Sequence, residues 1–307
     1  MSTRIALVSD THTWRAPALR GGEGNLLLLD RSEELLATLL TELRSERLDH
    51  VIHLGDMTCG GGYFAMPTEA FLPQIQHLHE AWSSLGLPLH ALPGNHDCPP
   101  GAQDGAAGWR TFESLFGLAH AQGTTLDVAE ARLILVNAQG HGRAQLAAAL
   151  PDDPVYGWIG AAELARVEDA LQGAQGRPIL LFIHQLLYRW HSPRPWREFY
   201  AVRNGAELIS LLDSYPNVRA IFQGHAHRYE VAQTRLGGAP CHVIISPAVI
   251  EYPVAWLLLE LDATGLHVTV RPLPCESDRE ESRRAGGGQD WRLGDAAWGR
   301  FDVDWSP

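Results

Sequence analysis

The sequence contains no lysine, and all 24 of its basic residues are arginine. Without an ammonium side chain the protein cannot use Schiff-base catalysis through lysine. The lysine of a Walker P-loop and the strand lysine of protein kinases are missing for the same reason. These three kinds of site are therefore excluded before any motif is considered.

Cysteine, long apolar runs and positive charge are also scarce. The four cysteines form no C-x-x-C pair, so the sequence predicts neither a zinc knuckle nor a disulfide framework. The apolar runs are far shorter than the roughly 20 residues that span a bilayer, and the N-terminus runs into a strand-like pattern without an apolar leader. The sequence therefore predicts a soluble, reduced, cytoplasmic protein with no membrane partner.

The formal net charge is −12, from 24 basic and 36 acidic side chains. Phosphate contacts supply most of the affinity of proteins for DNA and RNA, so this charge disfavours a nucleic-acid partner.

The first half of the sequence alternates strand-like and helix-like patterns. Runs rich in β-formers occur at 5–9, 50–54 and 87–92, separated by helical spacing near 33–47 and 69–85. Alternation of this kind is typical of βα units with parallel strands.

The second half is richer in strands. Continuous apolar runs at 132–136 and 178–183 are typical of strands buried on both faces, and helical spacing lies between them at 160–171. After residue 218, short strands follow one another through Gly, Pro and Asp-Ala-Thr-Gly turns, which predicts a largely antiparallel sheet. We expect an α/β domain with two stacked sheets flanked by helices.

The composition changes after residue 275. Residues 276–284 are mostly charged and precede a glycine run, a pattern typical of a solvated tail. Trp291, Trp298 and Trp305 nevertheless recur at a regular spacing. We expect these rings to dock the tail onto its own domain, and an amphipathic partner helix is the alternative. The predicted division is a catalytic domain over 1–275 and a polar, tryptophan-containing tail over 276–307.

Five short polar motifs follow predicted strands, where the side chains of neighbouring strands converge. Together they supply carboxylate, imidazole and amide groups without a thiolate, which suits Mn, Fe, Zn or Co at a hydrolytic centre and disfavours a closed structural zinc site. One such motif alone is weak evidence, whereas the ordered set is specific. The motifs are Asp10-Thr11-His12, Gly55-Asp56, Gly94-Asn95-His96-Asp97, His184 and Gly224-His225-Ala226-His227.

In this order the motifs resemble those of the calcineurin-like metallophosphoesterase superfamily, over residues 5–270. The resemblance implies a four-layer α-β-β-α sandwich of two stacked mixed sheets, and two metal ions bridged by Asp56. It also implies that His96 is a catalytic acid outside the ligand shell, oriented by Asp97. The implied ligands are Asp10, His12, Asp56 and His227 for one ion, and Asp56, Asn95, His184 and His225 for the other.

Physical reasoning agrees with these roles. Hydrolysis of a phosphate ester needs a nucleophile at neutral pH and neutralisation of the phosphoryl oxygens. Two metal ions roughly 3.5–4 Å apart supply both, through a bridging hydroxide and a clamp on the substrate oxygens. The amide of Asn95 would add a ligand without adding negative charge. A histidine next to a carboxylate, as in His96-Asp97, suits protonation of a leaving alkoxide.

Differences from other branches narrow the assignment. The sequence lacks the tyrosine that purple acid phosphatases place three residues after the aspartate, and it lacks the G-D-x-V-D-R-G run of protein Ser/Thr phosphatases. It is more similar to the branch with class III cyclic-nucleotide phosphodiesterases and glycerophosphodiesterases. In that branch, the histidine that corresponds to His184 is commonly followed by a second histidine, whereas in this sequence it is followed by Gln185.

The segment 185–204 connects two ligand-bearing strands and is rich in aromatic rings, which predicts a specificity loop or lid. Its rings would stack on a base or sugar, or would simply pack against one another. Arginine suits a second phosphate group. The candidate substrate contacts are His191 and Arg197 from this segment, together with Trp14, which lies two residues beyond His12.

The sequence therefore predicts a binuclear metal-dependent hydrolase that cleaves a small phosphodiester, of the cyclic-nucleotide or glycerophosphodiester type, by attack of metal-bound hydroxide. A phosphomonoesterase or pyrophosphohydrolase on the same site is the first alternative. A nuclease is disfavoured by the net charge, and a non-catalytic scaffold by the presence of every ligand position. The oligomeric state, including a homodimer, stays open.

Overall fold

Two six-stranded sheets form the centre of the molecule. The computed structural model describes residues 2–14, 24–61, 64, 66–100, 105–142, 155–191, 194 and 196–306. In chain order, the strands are β1 (Thr3–Val8), β2 (His50–His53), β3 (Leu89–Ala91), β4 (Thr124–Asp127), β5 (Arg132–Val136), β6 (Ile179–Ile183), β7 (Val218–Gln223), β8 (Glu230–Leu236), β9 (Ala239–Ile245), β10 (Ala255–Leu261), β11 (Gly265–Pro272) and β12 (Arg300–Asp304). The α-helices are α1 (Ser32–Ser45), α2 (Thr68–Ser83), α3 (Arg110–Leu115), α4 (Ala161–Gly173), α5 (Gly205–Leu212) and α6 (Glu276–Arg284).

Both sheets are mixed. The first has the order β12-β11-β10-β1-β2-β3, with β1, β2 and β3 parallel and the other pairings antiparallel. The second has the order β4-β5-β6-β7-β9-β8, with a parallel centre from β5 to β9 and antiparallel pairs at both edges.

Side-chain alternation in the central strand β1 shows how the layers are arranged. Ile5 and Leu7 belong to the apolar cluster that also contains Phe182 and Phe222 of the second sheet. Ala6 belongs to a different cluster, which contains residues of α1 and α2. Successive side chains of a strand point to opposite faces, so one face of β1 meets the second sheet and the other meets helices.

Helices cover the outer faces of both sheets because they carry apolar stripes. In α1, Leu36, Leu39 and Leu43 are buried at helical spacing. Val167 of α4 and Leu208 of α5 lie in the cluster on the outer face of the second sheet. The predicted fold, two stacked mixed sheets flanked by helices, is confirmed.

The expected antiparallel character of the second half is only partly right. Strands β7 and β9 pair in parallel at the centre of the second sheet, and the hairpin strand β8 lies at the edge beyond β9. Closely spaced short strands are typical of a meander, in which each strand pairs with the next one. Here β8 and β9 form a hairpin after β7, and the second strand of that hairpin, β9, pairs with β7.

The segment 276–307 is part of the fold, which corrects its description as a tail. It contributes α6 and then β12, the outer strand of the first sheet. Two of its rings dock on the domain as expected, because Trp298 and Trp305 pack against the cluster between the sheets. The predicted boundary at residue 275 therefore does not mark the edge of the first sheet.

In the described part of the chain, no helix combines the length and the apolar character that a membrane span requires.

Candidate metal centre

The seven predicted ligands lie just beyond the carboxyl ends of parallel strands from both sheets. Open α/β folds place their sites at this end of a sheet, and here the two sheets contribute to the same place. The ligands are Asp10 and His12 after β1, Asp56 after β2, Asn95 after β3, His184 after β6, and His225 and His227 after β7.

The backbone is left-handed at five of these seven positions. The φ angles are 54° at Asp10, 40° at His12, 54° at Asp56, 63° at His225 and 47° at His227. Such conformations are uncommon for residues other than glycine and cost on the order of 1–3 kcal/mol each. Their concentration at one place is a second sign of a functional site, independent of the motifs.

Close packing explains two of the motif glycines. A Cβ atom on Gly94 would lie 2.1 Å from Oδ1 of Asp56, and one on Gly224 would lie 2.4 Å from Oγ of Ser9. Both glycines therefore allow a turn to approach a ligand-bearing turn from another strand.

Asp10, His12 and His227 form the first ligand group. Nε2 of His227 lies 3.3 Å from Oδ1 of Asp10 and 3.0 Å from Nε2 of His12. The other carboxylate oxygen of Asp10 accepts hydrogen bonds from the backbone N–H of His225 at 3.1 Å and from the Ser9 hydroxyl. Oδ1 is therefore the oxygen that Asp10 offers to the site.

Asp56, His184 and His225 form the second ligand group. Oδ2 of Asp56 lies 3.2 Å from Nε2 of His184, and the same oxygen lies 3.6 Å from Nε2 of His12 in the first group. Nδ1 of His184 lies 3.1 Å from the carbonyl oxygen of Leu54, which orients the ring with Nε2 toward the carboxylate. Asp56 thus faces imidazoles of both groups.

Asn95 provides a test of whether a metal ion fits. Its side chain is fully buried, and neither Oδ1 nor Nδ2 has a hydrogen-bond partner in the described part of the chain. A buried polar group without a partner costs about 1–3 kcal/mol. Coordination would satisfy its oxygen, and amide, carboxylate and imidazole donors together suit Mn, Fe, Zn or Co. The residues present therefore fit divalent metal ions.

The two carboxylates are held in their ionised form. Burial by itself raises the pKa of Asp56, but His184, His96 and His12 outweigh it and hold that pKa well below its usual value. Burial also opposes ionisation of Asp10, and its pKa is lowered mainly by His227. Ionised carboxylates are the form that binds a metal ion.

The imidazoles differ in their protonation. Burial lowers the pKa of His12 well below its usual value and that of His225 to about 3, so both rings are neutral at pH 7. His227 is also buried, but Asp10 and Glu251 outweigh burial and raise its pKa to about 10. A metal ion at His227 must therefore displace a proton.

His96 lies beside both groups, with a partner that the sequence did not predict. Its Nδ1 lies 2.7 Å from the carbonyl oxygen of Gly60. The carboxylate of Asp97 instead accepts hydrogen bonds from the backbone N–H groups of Thr58 and Gly94, both at 2.9 Å. This corrects the expectation that Asp97 orients the ring: the carboxylate joins the turns after β2 and β3, and a carbonyl holds the imidazole.

The position of His96 would also allow it to bind a metal ion. With His12 and Asp56 it forms a third group whose ligand atoms lie within 4.8 Å of one another. The ring of Phe64 lies against it, with centroids 4.8 Å apart. Geometry alone therefore allows His96 to act as a ligand or as an acid.

The three candidate substrate contacts lie in different environments. Trp14 is partly buried against the cluster under α1 and α2, and its backbone N–H and C=O both bond to the hydroxyl of Ser32 at 3.2 Å. His191 is exposed and bonds to Glu230 at the wall of a cavity of about 600 Å³. Arg197 is exposed. No hydrogen bond or ion pair in the described residues joins these three to the ligands.

Two described residues of the predicted specificity loop meet the ligand His225. The carbonyl oxygen of Phe199 lies 3.4 Å from Nε2 of His225, and the ring in contact is that of Tyr200. Its ring centroid lies 5.4 Å from that of His225. Trp190 and Trp196 pack against each other and against Tyr200. The alternative that these rings pack the loop is therefore correct for the tryptophans, and Tyr200 is a wall residue that the sequence analysis missed.

Two further residues behind His227 were also missed. Nδ1 of His227 lies 2.8 Å from Oε2 of Glu251. The other oxygen of Glu251 lies 2.6 Å from Nη2 of Arg292, which comes from the C-terminal segment. Glu251 belongs to no motif, and its one local signal is a carboxylate directly after the buried run Ala248 to Ile250.

Comparison with known proteins identifies the family. A family model described as calcineurin-like phosphoesterase matches residues 3–229. A 3',5'-cyclic-nucleotide phosphodiesterase of Nostoc sp. is 26% identical over 227 residues, which cover 73% of this chain and 71% of that protein. The glycerophosphodiester phosphodiesterase GpdQ of Enterobacter lignolyticus is 27% identical over 202 residues, which cover 62% of this chain and 60% of that protein.

A solved structure shows the same fold. The dimetal phosphatase from Danio rerio superposes with a TM-score of 0.66 at 15% identity, over 88% of this chain and 96% of that one. The family model covers most of the chain, and the predicted superfamily and branch are confirmed. The protein belongs to the calcineurin-like phosphoesterase family and is a hydrolase of phosphate esters.

Proposed function

We propose that the protein is a binuclear metal-dependent phosphodiesterase in which Asp56 bridges the two ions. One observation carries this proposal: Oδ2 of Asp56 lies 3.2 Å from Nε2 of His184 and 3.6 Å from Nε2 of His12. A carboxylate shared by two ligand groups keeps two ions close together, as two-metal hydrolysis requires. The proposed ligands are Asp10, His12, Asp56 and His227 for one ion, and Asp56, Asn95, His184 and His225 for the other.

The bound ions would supply the Lewis acidity that activates water and neutralises the phosphoryl oxygens. The protein holds its own groups in place for this chemistry. Oδ1 of Asp56 is fixed by the N–H of His96, so its Oδ2 stays between the two groups. His96 is held through Nδ1, and we assign its Nε2 to protonation of the leaving oxygen.

The proposed substrate is a small phosphodiester of the cyclic-nucleotide or glycerophosphodiester type. Support comes from the similar proteins, which are a cyclic-nucleotide phosphodiesterase and a glycerophosphodiester phosphodiesterase. The aromatic wall at Tyr200, next to His225, would suit stacking against a base or contact with a sugar.

A comparison of substrates tests the proposal. Protein loaded with Mn²⁺ is assayed on bis-nitrophenyl phosphate, nitrophenyl phosphate, cyclic AMP and glycerophosphoethanolamine, and the Asp56→Asn variant serves as the control for contaminating activity. We expect kcat/KM on at least one alkyl or cyclic diester to exceed that on the monoester by at least about tenfold. A preference for the monoester would instead support the phosphomonoesterase alternative. Two bound ions without hydrolysis of any diester would overturn the proposal.

A further inference from the structure

The C-terminal segment reaches the proposed metal centre through the side chain of Arg292. All proposed ligands lie before residue 230, whereas Arg292 ends the short helical turn Asp290–Arg292 between α6 and β12. We propose that Arg292 is a positioning residue for the metal ligand His227, acting through Glu251. This inference rests on the proposed function in one respect, namely that His227 binds a metal ion.

The guanidinium of Arg292 holds the same ligand at two points. Its Nη2 lies 2.6 Å from Oε1 of Glu251, whose Oε2 lies 2.8 Å from Nδ1 of His227. Its Nη1 donates a 2.5 Å hydrogen bond to the backbone carbonyl of His227. The Arg292 guanidinium thus restrains the ring through an ion pair with the carboxylate, and the backbone of the ligand residue through a hydrogen bond.

Burial makes this arrangement specific to arginine. Glu251 is 2% exposed and the side chain of Arg292 is 12% exposed, so water has little access to the pair. A guanidinium presents several N–H groups in a rigid plane, whereas an ammonium is a point charge. Lysine at this position would meet either the carboxylate or the carbonyl, but would not hold both in the same geometry.

Neighbouring contacts attach the segment to the turn that carries His227. The carbonyl of Arg292 accepts a 2.7 Å hydrogen bond from the N–H of Tyr229. The ring of Trp291 lies next to the guanidinium groups of Arg228 and Arg292, at 5.3 Å and 4.4 Å. These contacts explain why Arg292 lies behind the ligand although no motif surrounds it.

An ordered carboxylate behind a metal-binding histidine fixes the ring so that its other nitrogen points at the ion. His227 follows this scheme, because its Nδ1 faces Glu251 and its Nε2 faces Asp10 at 3.3 Å. Loss of Arg292 leaves the carboxylate and the backbone of this ligand without their common anchor. The ion at the Asp10, His12 and His227 group should therefore bind more weakly, while the group of His184 and His225 stays intact.

The test measures metal affinity in the full-length protein. Mn²⁺ is titrated by calorimetry into wild type, R292Q, R292K and E251Q, with R283Q as the matched control. Arg283 lies in the same segment and pairs with Glu280 and Asp290. We expect R292Q and E251Q to weaken one of the two Mn²⁺ sites by about 10–100-fold, R292K by less, and R283Q by less than about twofold.

A double variant separates positioning from general destabilisation. If Arg292 acts through Glu251, E251Q combined with R292Q should lose little more affinity than either single change. Full additivity, equal weakening of both sites, or unchanged affinity in R292Q would overturn the inference. If R292Q folds poorly, R292K and E251Q replace it in the comparison, provided that their melting temperatures match that of the wild type.

The outcomes are independent of the proposed reaction. Two Mn²⁺ sites with the expected split, in a protein that cleaves no phosphodiester, would support the role of Arg292 and refute the proposed function. An active phosphodiesterase whose Mn²⁺ affinity does not change in R292Q would support the proposed function and refute the role of Arg292. A wild-type protein that binds no metal would refute both.

Discussion

The backbone N–H of His96 donates a 2.8 Å hydrogen bond to Oδ1 of Asp56. The proposed proton donor and the proposed bridging ligand are thus joined through the main chain. The side chain of His96 can therefore be removed without removing this contact, which allows the two roles to be tested separately.

Asp56→Asn should damage both metal positions. The amide keeps the size of the side chain but loses the negative charge that faces His12 and His184. We expect the metal content, measured by mass spectrometry, to fall from about two ions per chain to below one. His12→Ala should keep about one ion. Near-full occupancy in Asp56→Asn would show that this carboxylate is not a bridge.

His96→Ala should slow substrates according to their leaving group. General acid catalysis contributes about 10²–10⁴-fold, so kcat on an alkyl or cyclic diester should fall by roughly that factor. A nitrophenolate leaves almost without a proton, so the nitrophenyl ester should be affected much less. Metal content is measured on the same samples. Loss of an ion, or equal slowing of both esters, would assign His96 to the third ligand group with His12 and Asp56 instead.

Gly94→Ala should disrupt the centre although Gly94 has no functional group. Its methyl group would lie 2.1 Å from Oδ1 of Asp56 and 2.4 Å from the Asp56 nitrogen. Both atoms belong to Asp56, the proposed ligand of both ions, so neither can move without displacing that ligand. We therefore expect activity to fall by at least about 10²-fold and metal content to fall with it. The control is Gly299→Ala, whose methyl group meets nothing within 4 Å. Equal activity in the two variants would contradict the tight approach of these turns.

Metal affinity should increase with pH. The pKa of His227 is about 10, so the ring carries a proton at neutral pH that the metal ion must displace. Asp10 and Asp56 have lowered pKa values and are already ionised, so they release no proton in this range. We expect the affinity of the His227 group for Mn²⁺ to rise about tenfold per pH unit between about pH 6 and 8. Calorimetry in two buffers of different protonation enthalpy measures the proton release directly; a flat pH profile would contradict this ligand assignment.

The sequence was informative where chemistry and local structure coincide. The seven proposed ligands follow strand ends in a fixed order. The apolar runs predicted the stacked sheets, and the resemblance carried by the ordered motifs implied how the ligands are grouped. Asp97 lies in one of these motifs and Gly60 lies four residues after Asp56, yet their contacts were not predictable. Which of two adjacent turns holds the His96 ring depends on the distance between the turns after β2 and β3, and no local pattern encodes it.

The C-terminal segment shows where prediction from the sequence failed. A charged helix followed by glycines has the composition of a solvated tail, but pairing of β12 with β11 and the burial of Arg292 depend on surfaces formed by distant residues. Glu251 was missed for the same reason, because its partners His227 and Arg292 lie in other parts of the chain. Contacts between distant residues that carry no motif are the part of this site that needs the structure.

The position of β1 has a consequence for how the protein is made. Among the described strands β1 is synthesised before the others, but it lies between β2 and β10, and Leu7 pairs with Leu257, 250 residues further along the chain. Contacts between such distant residues form late, since the loop-closure entropy must be overcome first. During translation β1 therefore keeps an open edge until β10 has left the ribosome. The ligand group of Asp10 and His227 likewise joins residues 217 positions apart, so it is complete only after most of the chain has been synthesised.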